Sequence, residues 1–82
     1  MDKKFIFADS IQRIGYTIID GVKVVQYACI VPLDDPENMR VTSTRLNPEL
    51  YKMHRDICRA DLAAFEDAAY ELQEKCIADI TN

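Results

Sequence analysis

Ile14-Gly15-Tyr16-Thr17-Ile18-Ile19-Asp20-Gly21-Val22-Lys23-Val24-Val25-Gln26-Tyr27-Ala28-Cys29-Ile30-Val31 decides the fold. Two runs rich in β-branched and aromatic residues flank Asp20-Gly21. That pair suits a two-residue type I′ turn, because both of its positions need positive φ. A plain two-residue hairpin then sets Ile19 against Val22, Tyr16 against Val25 and Ile14 against Tyr27. One sheet face would carry Ile14, Tyr16, Ile18, Val25, Tyr27, Cys29 and Val31, and this is the expected core face. The other face carries Arg13, Gly15, Thr17, Val22, Val24 and Gln26, with Gly15 a candidate bulge.

Pro32-Leu33-Asp34-Asp35-Pro36-Glu37-Asn38 reads as a loop, since Asp-Pro favours a turn. Met39 to Leu46 alternates as a third strand, with Met39 and Val41 on one side and Arg40, Thr42 and Thr44 on the other. Lys4–Ala8 is expected as a further strand, with a helical turn through Ser10–Arg13 as the competing reading.

Beyond Asn47-Pro48 no Gly or Pro occurs. Asn47 suits a helix N-cap, Pro48 the first helical position and Glu49 the first turn. Leu50, Tyr51, His54, Cys58, Leu62, Phe65, Ala69, Leu72, Cys76 and Ile80 fall in one apolar arc, flanked by Ile57, Ala64 and Ala68. An unbroken helix from 48 to 80 would be about 50 Å long, against roughly 27–33 Å for strands of eight to ten residues. The helix therefore overhangs its sheet, or it breaks near Arg59-Ala60-Asp61 with Asp61 capping a second helix. The expected fold is α+β: an antiparallel three- to four-stranded meander over 1–46 packed on one long helical segment over 47–81, a single domain over 1–82. Either way, apolar surface remains for something else to cover.

At 82 residues with 49% apolar content the chain can fold, but its core is thin, so a partner or a dimer contact is expected. No apolar run approaches the ~20 residues needed to span a bilayer. Met1-Asp2-Lys3-Lys4-Phe5-Ile6-Phe7-Ala8-Asp9 is too short for a signal peptide. The three cysteines, Cys29, Cys58 and Cys76, form no disulfide framework and read as buried thiols. These features predict a cytoplasmic protein with no membrane association.

His54 and Cys58 stand one helical turn apart, but zinc needs two more ligands, and Cys29 is the only available addition. A thiol sensor would require His54 and Cys58 to be exposed, and no device that activates a thiolate accompanies Cys58. Asp34-Asp35-Pro36-Glu37-Asn38 lacks the alternating ligands and central Gly of a calcium loop. Gly15 and Gly21 are the only glycines, so no phosphate-cradling loop exists. Ser10, Thr42, Ser43 and Thr44 read as turn and strand hydroxyls. No cofactor, metal or enzymatic activity is expected.

Charge is the remaining signal. The net charge is −4, and residues 61–82 set Lys75 alone against Asp61, Glu66, Asp67, Glu71, Glu74 and Asp79. Such an end disfavours direct nucleic-acid contact, which needs concentrated Lys/Arg. Lys52, Arg55 and Arg59 come first along the helix and the acids last, against the helix dipole. Arg55, Arg59, Glu66, Asp67, Glu71 and Glu74 are therefore the candidate partner-binding residues. Two antiparallel copies of the helix would match basic half to acidic half in a homodimer. Alternatively, the acidic half would meet a basic nucleic-acid-binding protein. The expected function is a non-catalytic protein–protein interaction module that regulates a larger partner through this helix. The alternative is a small acidic inhibitor that mimics nucleic acid. In size, acidity and lack of motifs the chain is similar to phage-encoded anti-CRISPR proteins, a likeness of kind that rests on no shared residue.

Overall fold

In the computed structural model, which describes residues 2–5 and 7–81, three strands are followed by two helical segments. Strand β1 spans Ser10–Ile19, β2 Val22–Pro32 and β3 Arg40–Arg45. They form one open antiparallel sheet in the order β1-β2-β3. Helix α1 spans Pro48–Met53 and α2 Arg55–Thr81. The fold is thus an α+β meander with a long C-terminal helix, as the sequence predicts.

The hairpin turn forms at Asp20-Gly21, with φ of 51° and 78°, so both residues adopt the left-handed conformation a type I′ turn requires. Ile19 pairs with Val22 and Ile18 with Lys23, but Thr17 then pairs with Val25. Val24 is the extra residue of a β-bulge in β2. One inserted residue reverses which side chains of β1 face inward. The expectation that Ile14, Tyr16 and Ile18 line the core is therefore wrong: they are 47%, 40% and 58% exposed, while Thr17 is buried. On β2 the assignment holds, with Val25, Tyr27, Cys29 and Val31 all buried; Val24 joins them as the second inward residue of the bulge.

Gly15 is not the bulge. Its missing side chain admits the Phe65 ring, whose Cδ2 would lie 3.2 Å from an added Cβ, and Phe65 stacks on Tyr27 at 5.7 Å between centroids. The expected strand over Lys4–Ala8 is also absent from the described residues 2–5 and 7–9; Ile6 lies outside them. Ser10–Arg13, the proposed helical turn, belongs to β1. The Pro32–Asn38 loop contains a single 3-10 turn over Pro36–Asn38.

Asn47 caps α1 by accepting the Leu50 N–H at 3.1 Å, with Pro48 in the first turn. The helix breaks at His54 (φ −130°, ψ 39°), whose N–H bonds back to the Leu50 and Tyr51 carbonyls. It does not break near Asp61, because Asp61 is used differently. Its carboxylate accepts a hydrogen bond from the Thr17 hydroxyl at 2.7 Å, which ties the middle of α2 to β1. Beyond it, the amide of Gln73 donates to the Pro36 carbonyl at 3.0 Å. The stripe from Leu50 to Cys76 is buried or half-buried at every expected position, Cys58, Ala69 and Cys76 completely. The Ile80 side chain lies outside the described set.

Uncovered apolar surface remains at Met53, Ile57 and Tyr70 of the helices, and a further patch lies on the sheet. Ile14, Tyr16 and Ile18 of β1, with Ile30 of β2, share the face away from the helices. The radius of gyration is 16.4 Å, against about 12 Å for a compact chain of this length. The molecule is an elongated two-layer slab, open on one side.

Candidate functional site on the long helix

Helix α2 carries all six candidate partner-binding residues. Arg55, Arg59, Asp67, Glu71 and Glu74 are exposed and Glu66 is half-buried. Arg59 lines a cavity of about 60 Å³ with Ser43 and Arg45 of β3, so it marks the β3 side of α2. At about 100° per residue, Arg55 and Glu66 share that flank. Asp67, Glu71 and Glu74 form the ridge facing away from the sheet. The structure therefore brings the three acids together and sets the two arginines apart from them around the helix. Among the described residues, none of the six takes part in an ion pair or side-chain hydrogen bond.

The break at His54 changes part of the charge argument. Lys52 lies in the last turn of α1, where the dipole favours a cation, and Asp56 lies in the first turn of α2, where it favours an anion. Arg55 at the start of α2 and Asp79 in its last turn remain against the dipole, with Arg59 just beyond the first turn. His54 carries no sequence signal for the break, because its spacing fits the apolar arc. Around the break, Lys52 to Ile57 line an open cleft of about 300 Å³.

The groups with reactive chemistry are engaged in holding the two layers together. Cys58 is buried, and burial, reinforced by the charge of Asp61, pushes its thiol above the ordinary value. That is opposite to what a nucleophilic thiolate needs. The Tyr27 phenol donates to the Cys58 carbonyl at 3.0 Å and lies 2.7 Å from the Thr17 hydroxyl. Burial raises the Tyr27 pKa, against the opposing effect of the Thr17 hydrogen bond. His54 is half-buried at the end of α1. Sequence reasoning missed this Thr17–Tyr27–Asp61 network because the unbulged register sent Thr17 to the solvent face.

Among the described residues, no group of three His, Cys, Asp or Glu is placed to hold a metal ion, and no helix is long and apolar enough to cross a membrane. Comparison with family models, with curated proteins and with solved structures finds no match for this chain.

Proposed function

We propose that this chain is a non-catalytic protein-interaction module that acts in the cytoplasm and regulates a larger partner through the outer face of α2. The observation that carries this reading is the ridge of Asp67, Glu71 and Glu74, acidic, outward-facing and, among the described residues, engaged in no ion pair, with Lys75 at its edge. Exposed charges contribute little to their own fold, so a ridge of one sign is free to serve recognition. The engagement of Cys58, Tyr27 and Asp61 in interlayer packing supports a structural rather than a catalytic use of those groups.

A narrower version is favoured by the same ridge: a small acidic inhibitor, of the kind carried by phage and other mobile elements, that occupies the basic nucleic-acid-binding surface of a host enzyme. The test is affinity recovery of partners from the native host with the wild-type chain and with an Asp67→Lys/Glu71→Lys/Glu74→Lys variant. The reading expects a basic partner that is lost with the variant, and, for the inhibitor version, recovery of that partner's nucleic-acid binding. Partners unchanged by the three reversals would refute it.

A further inference from the structure

The open face of the sheet adjoins an unprotected edge. The Asp9 carbonyl accepts the Leu33 N–H at 2.8 Å, so odd-numbered residues of β1 turn their backbone groups toward β2. Antiparallel alternation then turns the N–H and C=O of Gln12, Ile14, Tyr16 and Ile18 to the free edge. The side chains of the last three lie on the uncovered face. Free edges are normally blunted by charge, Pro or short length. Strand β3 is six residues long with Arg40 and Arg45 at its ends, whereas β1 runs for ten residues with Arg13 as its only charge and no Pro.

We propose that β1 pairs antiparallel with β1 of a second copy about a two-fold axis at Tyr16, forming a continuous six-stranded sheet. In this register Ile14 of each copy lies opposite Ile18 of the other, and Tyr16 faces Tyr16. Gln12 comes opposite Asp20 of the other copy, twice by symmetry, and Arg13 opposite Ile19. A centre at Gly15 would set Ile18 against Gln12, and a centre at Thr17 would set Ile14 against Asp20. The Tyr16 centre alone among these keeps apolar against apolar, and it supplies about six new backbone hydrogen bonds.

Area and clearance agree with that occupant. The chain exposes 6352 Å², against about 5000 Å² for a compact chain of its mass. That excess is spread over the segment before β1, exposed helix residues and the open face, and an ordinary stable interface draws ~800 Å² from each partner. Phe65 sits over Gly15 and Tyr27, which are paired across β1 and β2, so α2 lies above the β1–β2 seam. With strands about 4.8 Å apart, the two-fold would set the α2 helices of the two copies about 10 Å apart on one face, within helix-packing distance. The side of α2 turned toward β1, which carries Asp61, presents Ala60, Ala64 and Ala68 together with the exposed Ile57, Glu71 and Lys75, so the two helices would meet through small and long side chains alike.

This surface is separate from the acidic ridge of α2, and either proposal can fail alone. The test is solution mass by light scattering across a concentration series, with circular dichroism verifying the fold. The native chain is expected at twice its chain mass. The Ile14→Lys/Ile18→Lys and Ile14→Glu/Ile18→Glu variants are each expected as monomers, and their equimolar mixture as a dimer. A native chain that stays monomeric at millimolar concentration overturns the proposal, even if the variants unfold. So does a dimer that both variants leave intact, or a mixture that stays monomeric. Loss of dimerisation only on reversal of the α2 acids would instead transfer the contact to the helix.

Discussion

Thr17 is the residue on which the attachment of helix to sheet turns. Its buried hydroxyl donates to Asp61 and lies beside the Tyr27 phenol, which in turn donates to the Cys58 carbonyl. A β-branched residue suits β1 conformationally, so Thr17→Val keeps the shape and removes only the polar link. The half-buried Asp61 carboxylate then loses its protein donor, at a cost of about 1–3 kcal/mol. Urea unfolding of dilute Thr17→Val should show that loss as a lower midpoint with an unchanged slope. A midpoint equal to wild type would mean that the network contributes nothing to stability. Tyr27 itself needs a partner whenever it is buried, and the helix carbonyl at Cys58 supplies one even without Thr17.

At the scale of elements, the bulge at Val24 sets what faces where. It buries two consecutive residues of β2, Val24 and Val25, and it aims the Val24 carbonyl at the corner between β3 and α1. There it accepts the Leu46 N–H at 2.8 Å and the Asn47 N–H at 3.1 Å. Arg45, stacked 4.0 Å from the Tyr51 ring centroid, holds the same corner. The bulge therefore fixes both the orientation of β1 and the start of α1. In dilute protein, Val24→Ala should cost about 2 kcal/mol by leaving a cavity, whereas Ile18→Ala should cost less than about 0.5 kcal/mol as a surface change. The unbulged register predicts the reverse order, so urea midpoints of the two variants distinguish the registers. Much of the element plan was legible in the sequence, because Asp20-Gly21 and Asn47-Pro48 carry their geometry locally. The bulge was not legible: Val24 and Val25 are alike in chemistry, and nothing local says that both turn inward. The same loss hid the true burden of Asp61, which resembles a helix cap in sequence but receives its partner from Thr17 across the fold. His54 likewise fits the apolar arc by spacing, while its backbone ends α1.

At the scale of the whole molecule, the chain is one sheet covered on one side only, with principal extents of 58 × 29 × 17 Å. A core this thin is marginal in isolation, and apolar surface is left over beside the free edge of β1 as well as at Met53, Ile57 and Tyr70 of the helices. The charge gradient in the sequence pointed outward from α2. The structure keeps the acidic ridge there, reassigns Lys52 to a favourable helix end, and adds an apolar patch on the open face of the sheet. Two surfaces of different chemistry thus emerge: an acidic ridge suited to a basic partner, and an apolar edge suited to its own copy. The cation–π contact of Lys23 with Tyr16, 4.3 Å from the ring centroid, sits near the centre of the second. The most direct measurement is residue-resolved amide hydrogen exchange of the native chain at high and low concentration. The account predicts that the Ile14, Tyr16 and Ile18 amides are protected at high concentration and exchange freely on dilution, while Gly15 and Thr17, bonded to β2, stay protected throughout. Free exchange of Ile14, Tyr16 and Ile18 at every concentration would contradict it.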